Sequence, residues 1–342
     1  MLLDQGKQVR ILVRPSSAYE ALVSAGAHAV TGDLKDPDSL VAACLSVDTV
    51  VTTANSVGRG GEDTVASVDD AGNANLVDAA QTAGVRHFVF LSALGADAEH
   101  PMPFLKAKGH TEQRLRTSGM AWTVLQPNLF MDTWIPAVVG GPALAGQPVT
   151  LIGQGQRRHS MVAARDVASF AVAAVDNPQA QGQTLFIGGP EPVSWRAAVS
   201  AFERELGREI QVRTIEPGEP VPGLPEVVAP LLAALDTYDS PMDMTQLTAQ
   251  YGIRPTTLAE FVHDIPDALL EEVRPAAGSV FEQPNRVVGL DVLRQHDHPD
   301  LRVVAAHPLR RANAFVGLGR GHPDIGEHHV RGQLVDRSHQ LG

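Results

Sequence analysis

His87-Phe88-Val89-Phe90-Leu91, closed by Ser92-Ala93, is the stretch on which the fold turns. Its aromatic and β-branched residues follow one another without polar alternation, which suits a parallel strand buried on both faces. A helical pattern over roughly 66–83 precedes it and another over about 103–118 follows. Working outward, Val9–Val13, Ala27–Thr31, Asp48–Thr53 and Trp122–Leu125 are further short apolar runs of strand type. Ser17-Ala18-Tyr19-Glu20 has the form of a capping box, and Asp36-Pro37 combines a carboxylate cap with a proline that has no amide to orphan. Short strands alternating with helices over residues 1–135 predict right-handed crossovers and an α/β, doubly wound parallel sheet.

After Pro127 the pattern loosens. Asp166–Val175, Ser194–Leu206 and Val227–Leu235 read as helices, and Thr184–Ile187 and Ile210–Ile215 as strands. Residues 136–264 are therefore expected to form a smaller substrate lobe. The stretch 265–342 differs in kind: it has no lysine, nine arginines and seven of the chain's 13 histidines, with little periodicity. It reads as a poorly ordered tail or an artefact of reading frame. His296-Gln-His298 and His328-His329 sit in that segment without further ligands, so no metal site is expected.

The 342 residues carry a net charge of −12, which argues against a nucleic-acid surface, since polyphosphates favour clustered Lys and Arg. The single cysteine, Cys44, excludes an internal disulfide and a cysteine-based zinc site, and reads as a packed helix residue in a reducing compartment. No apolar run is long enough to span a bilayer, and Met1–Gln8 lacks a basic leader followed by an apolar segment. The expectation is a cytoplasmic protein with no membrane partner.

In a doubly wound sheet the ligand lies outside the carboxyl ends of the strands, so strand-end residues carry the functional reading. Arg14 follows the first strand, where a guanidinium either forks onto a ribose 2'-phosphate or is a solvated surface group. Asp33, in Gly32-Asp33-Leu34, either meets an adenine edge or caps the turn toward Asp36. Thr53, Ala54 and Asn55 are small and polar enough for close approach to a ribose-diphosphate. Ser92 and Ala93 end the central strand, where a nicotinamide ring would lie. Gln126, Pro127 and Asn128 either border that ring or simply break the chain toward the second lobe.

Val-Arg-Ile-Leu-Val-Arg-Pro (9–15), Gly-Asp-Leu-Lys-Asp-Pro (32–37) and Phe-Val-Phe-Leu-Ser-Ala-Leu-Gly-Ala (88–96) occur in that order. With Lys108–Glu112 and Pro127-Asn128-Leu129-Phe130, they resemble the NmrA-like family of atypical short-chain dehydrogenases. The resemblance runs from residue 1 to about 264 and is strongest over 9–134. It implies a Rossmann-type domain over 1–135, NADP(H) binding with NAD(H) as the lesser cofactor, and activity as a quinone reductase or a cofactor-sensing regulator. It also departs from the family twice. Such proteins open with a strand and a GxxGxxG turn that holds the diphosphate, whereas Met1–Gly6 looks like the end of the helix that follows. Either the true start lies upstream, or this form binds cofactor weakly and leaves sheet edges unpaired.

The second departure concerns the acid. Short-chain dehydrogenases commonly place Tyr-x-x-x-Lys on the helix after the Ser92 strand, so that the cation lowers the phenol pKa. Here the pair is Phe104 and Lys108. Lys108 is expected to hold ribose hydroxyls, against the plainer reading of a surface cation paired with Glu112, and His110 either substitutes as the acid or, on the plainer reading, faces solvent.

The expected catalytic set is Lys108, Ser92 and Asn128. The expected cofactor set is Arg14, Asp33, Thr53, Ala54, Asn55, Ser92, Ala93, Lys108 and Pro127. The expected function is an NADPH-dependent oxidoreductase acting on a quinone or similar small acceptor. The alternative is a non-catalytic NADP-sensing regulator that binds a protein partner.

Overall fold

The computed structural model describes residues 1–57, 59–224 and 228–265. Strand β1 (Arg10–Val13) leads through α1 (Glu20–Ser24) to β2 (His28–Thr31), and α2 (Pro37–Cys44) leads on to β3 (Thr49–Thr52). A π-helical turn (Val65–Asp70) runs into α3 (Ala71–Thr82), then come β4 (His87–Leu91), α4 (Pro103–Thr117) and β5 (Ala121–Pro127). These elements are the expected series, β4 with unchanged ends and the others with ends shifted by no more than five residues.

One expected local device is absent. Ser17 and Glu20 do not form a capping box, because the Ser17 hydroxyl accepts from the Arg14 amide at 3.2 Å and α1 begins only at Glu20, without a side-chain cap. Asp36 does cap α2, accepting from the Ser39 amide.

Every strand pair is parallel, as helical crossovers require. The order is β2-β1 in one ladder and β3-β4-β5 in another. Among the described residues β1 has no ladder partner but β2, and β3 none but β4. The two ladders nonetheless cover one core, in which Leu12 of β1 and Val50 of β3 join Leu40, Leu76, Phe88, Phe90 and Val124. Phe88, Val89 and Phe90 are fully buried, which is the two-faced burial their sequence calls for.

Beyond β5 the chain forms α5 (Met131–Ile135), α6 (Gly141–Leu144), β6 (Val149–Ile152) and α7 (Ala164–Ala174). It then returns to the main ladder as β7 (Gln183–Ile187), which pairs with β5 along Thr123–Pro127. Next come α8 (Trp195–Leu206) and β8 (Val212–Ile215), followed by α9 (Val228–Leu235), α10 (Thr245–Tyr251) and α11 (Leu258–His263). β6 and β8 make a small two-stranded sheet packed under α8 and α9, with Met131, Ile135, Trp195, Phe202 and Leu232 in its core. α5, α6, β6, α10 and α11 are additions to the sequence reading.

Cys44 is buried in α2, and burial pushes its thiol up to about 11 against the opposing pull of Arg10, so it is an inert packing group. No described helix is long and apolar enough to cross a membrane. The segment carrying His296, His298, His328 and His329 lies outside the described residues.

Candidate functional site

The carboxyl ends of β1, β2, β3, β4 and β5 carry two polar assemblies, each gathered on one carboxylate. The inner one lies at β4 and β5. Helix α4 brings Lys108 and Glu112, one turn apart, against the strand ends, and both side chains are buried. Gly109 between them makes this approach possible. A Cβ there would stand 2.2 Å from the Asp97 carbonyl carbon and 2.3 Å from the Ala98 nitrogen.

Glu112 accepts from the Ser92 hydroxyl at 2.5 Å, from the Gln126 amide at 2.8 Å and from Arg116 at 2.8 Å. Lys108 does not pair with it directly. Its ammonium donates to the carbonyls of Leu91 (3.0 Å) and Ala54 (3.3 Å), tying the ends of β4 and β3 together. It also lies 4.9 Å from the Phe90 ring centroid and 5.5 Å from that of Phe104. Burial lowers its pKa from 10.5 to about 8, with Asp69 and Glu112 opposing the shift. Lys108 is therefore a buried strand-end cation, and the surface-pair reading does not hold. Phe104 occupies the position of an acid and offers Lys108 only a ring face.

Around this group the backbone is closely organised. The amides of Ser92 and Leu94 donate to the carbonyls of Leu125 and Pro127, which holds Ala93 in the turn after β4. The Asn55 side chain bridges the Thr53 carbonyl and the Val57 amide, and Asn73 reaches the Ala54 carbonyl. Asp69 is fully buried, and its Oδ1 has no hydrogen-bond partner among the described residues. His110 is half exposed and pairs with Asp70 at 3.1 Å, away from Ser92. The Asn128 amide is engaged elsewhere than expected: it donates to the carbonyl and hydroxyl of Ser240, whose hydroxyl also meets His159 Nδ1 at 2.7 Å. Asn128 thus ties the second lobe to the end of β5.

The outer assembly lies at β1, β2 and the turn after β3. Asp63 Oδ1 accepts from Lys35 at 2.7 Å, and its Oδ2 accepts from Arg14 at 2.7 Å and Arg59 at 3.1 Å. Asp33 stands 3.9 Å from Arg14, and one of its oxygens caps the Lys35 amide. Arg59 and Asp63 are 4% and 8% exposed, so these charges are largely withdrawn from water. Arg59 Nε and Nη2 have no acceptor among the described residues. Lys35, Arg59, Asp63 and Glu112 were not singled out as site residues from the sequence. Their signals were weak: Glu112 is four residues beyond Lys108, and Arg59 and Asp63 bracket Gly60-Gly61.

The two assemblies are in keeping with a dinucleotide laid across the strand ends. Buried Arg59 donors without acceptors among the described residues suit an anion.

Comparison with known proteins agrees with that geometry. The model of a family described as NAD(P)H-binding matches residues 1–178. An NAD(P)H azoreductase of Xenophilus azovorans is 31% identical over 211 residues, which are 61% of this chain and 70% of that protein. Two solved structures share the fold. The NADPH-dependent quinone oxidoreductase of Escherichia coli, complexed with NADPH, has a TM-score of 0.60 at 21% identity over 75% of this chain and 89% of its own. The triphenylmethane reductase of Citrobacter sp., complexed with NADP(H), has a TM-score of 0.63 at 21% identity over the same shares. With strand-end cations, a parallel sheet and a family model covering β1 to α7, this chain belongs to the NAD(P)H-binding family, and NAD(P)H is its cofactor.

Proposed function

We propose that the protein is an NADPH-dependent oxidoreductase that passes hydride to a quinone or a similarly conjugated, electron-poor small acceptor. The observation that carries this reading is the inner assembly: a buried cation at the strand ends beside Ser92, with Phe104 where a proton donor would stand. When bound, the reduced nicotinamide supplies the hydride.

The chain's own groups then have separate tasks. Lys108 and the backbone of Thr53, Ala54 and Asn55 hold the ribose side, and Arg14 with Lys35 meets the 2'-phosphate, which favours NADPH over NADH. Ser92, Ala93 and Pro127 border the ring. Asn128 acts at one remove, by fixing Ser240 and the second lobe over the β5 end. Ser92 is held as a donor to Glu112, so its proton already has an acceptor.

A quinone that gains hydride takes its proton from water to complete the hydroquinone, so it tolerates the missing acid. A simple ketone needs a positioned donor for the developing alkoxide, a contribution of about 10²–10⁴-fold. The azoreductase and quinone oxidoreductase names of the relatives are in keeping with acceptors of the first kind.

Single-turnover oxidation of NADPH against a panel of quinones, azo dyes and simple ketones tests this. Turnover with quinones and little with ketones is expected, and Phe104→Tyr should raise ketone reduction. NADPH binding without turnover of any acceptor would overturn the reductase reading in favour of a regulator with a protein partner.

A further inference from the structure

Three cations converge on one carboxylate at the outer end of the groove, and the arithmetic of that cluster is unbalanced. Lys35 occupies Asp63 Oδ1, while Arg14 and Arg59 share Oδ2. Among the described residues, Asp63 is shared by all three cations, and Asp33 lies 3.9 Å from Arg14. Arg59 shows the surplus most directly. Its guanidinium is 4% exposed, yet Nε and Nη2 donate to nothing among the described residues. Buried guanidinium donors normally find acceptors, and an uncompensated one is costly. A planar guanidinium with two free N–H groups is matched by a tetrahedral oxyanion with several oxygens better than by one shared carboxylate oxygen.

Local structure explains how the carboxylate comes to be there. Gly60 and Gly61 have φ of +72° and +62°, left-handed values that glycine adopts freely, and they reverse the chain so that Arg59 and Asp63 face each other. Just beyond, Thr64 caps the turn at Val65–Asp70 by accepting from the Ser67 amide, which anchors the backbone on that side. Asp63 is thus a short side chain on a fixed backbone, able to leave the cations by rotation about its own bonds.

We propose that Asp63 is a built-in counter-ion that fills the 2'-phosphate seat formed by Arg14, Lys35 and Arg59, and that the phosphate of NADPH binds by displacing it. The Arg59–Asp63 turn then sets the preference for NADPH over NADH. In the empty protein the carboxylate keeps three clustered cations together; with NADPH the doubly charged phosphate takes over that task, and Arg59 gains acceptors. NADH has nothing to offer the seat, so Asp63 stays in place. The inference rests on the NADPH reading above and adds to it a competitor and one further phosphate ligand, Arg59.

The test titrates the full chain and its Asp63→Asn and Arg59→Met variants with 2',5'-ADP and 5'-AMP by calorimetry, and with NADPH and NADH by nicotinamide fluorescence. Asp63→Asn should tighten 2',5'-ADP and NADPH by roughly tenfold and leave 5'-AMP and NADH within about twofold. Arg59→Met should weaken the 2'-phosphorylated ligands by a similar factor. Without nucleotide, Asp63→Asn should melt lower than the parent and gain more from added inorganic phosphate. Asp63→Ser serves the same purpose if the asparagine variant does not fold.

Unchanged affinity for 2',5'-ADP in either Asp63 variant, or equal tightening of 5'-AMP, would overturn the inference. If parent and variants bind NADPH and NADH alike and reduce quinones, the counter-ion idea fails while the reductase reading stands. If Asp63 governs 2',5'-ADP binding but no acceptor turns over, the seat stands and the reductase reading fails.

Discussion

Glu112 and Asp63 each gather three donors, yet they make opposite kinds of site. Around Glu112 the partners are a hydroxyl, an amide and a single arginine, so charge and hydrogen bonds balance within the protein. Around Asp63 all three partners are cations, and two Arg59 donors have no acceptor among the described residues. A finished network fixes geometry and asks nothing of a ligand, whereas an over-charged one is poised for an anion. On the proposals above, the inner assembly is a positioning frame for chemistry and the outer one a selector for the cofactor's phosphate.

The comparison breaks first if α4 is moved. Gly109→Ala places a methyl at 2.2 Å from the Asp97 backbone, and neither the helix nor the strand-end loop is a flexible side chain that can turn aside. The expected cost is about 3 kcal/mol or more in urea denaturation, with Lys108 and Glu112 carried away from β4. The outer cluster, which has no residue on α4, should keep its response to 2',5'-ADP.

Glu112→Ala is the next largest. It leaves the Ser92 hydroxyl and Gln126 amide buried without their acceptor, while Arg116, 42% exposed, turns to water. A loss of about 2 kcal/mol is expected, and it should persist at high salt because two of the three broken contacts are neutral on the donor side. A loss that vanished in half-molar salt would mean the inner hub is held by charge after all.

A smaller effect follows from Lys108. Its pKa in the folded chain, about 8, lies below the unfolded value of 10.5 because the ammonium is buried. Below pH 8 both states are protonated and the full burial penalty is present. As pH rises from about 8 toward 10.5 the folded state releases the proton first, so the penalty is relieved and stability rises. Relative to Lys108→Met, the parent should gain about 1 kcal/mol by pH 9. If Lys108 holds the ribose side as proposed, NADPH affinity should fall over the same range.

The strand ends were legible in the sequence because burial on both faces leaves an unmistakable run, Phe88-Val89-Phe90, and because parallel crossovers fix which ends meet. Lys108 was legible for the same reason, since one helix turn sets its face. The hubs were not. Ser92, Glu112 and Gln126 come from a strand, a helix and another strand, and no spacing rule joins them. Asp63 lies in a glycine turn whose reversal depends on two positive φ values that composition does not announce. β6 was missed because its partner, Val212–Ile215, lies across α7, β7 and α8, so no neighbouring strand–helix repeat marks Val149–Ile152. Asn128 was placed at the ring from its position after β5, but its amide found Ser240, a residue of a distant segment.

The smallest expected effect sharpens the contrast most cleanly, because it asks whether the outer cluster is held by screened charge. Lys35 is 30% exposed and touches Asp63 Oδ1 alone, so Lys35→Met removes one of three cations without leaving a buried donor unpaired. Exposed and half-exposed pairs contribute about 0.5 kcal/mol, and salt reduces that further. The substitution should therefore change stability by no more than that in low salt and by nothing measurable in half-molar salt, the reverse of Glu112→Ala. It also relieves part of the surplus positive charge, so affinity for 2',5'-ADP should fall by a few-fold while 5'-AMP is unaffected. A stability loss near that of Glu112→Ala would show Asp63 to be a structural hub like Glu112, and the division of the groove into a frame and a selector would not survive it.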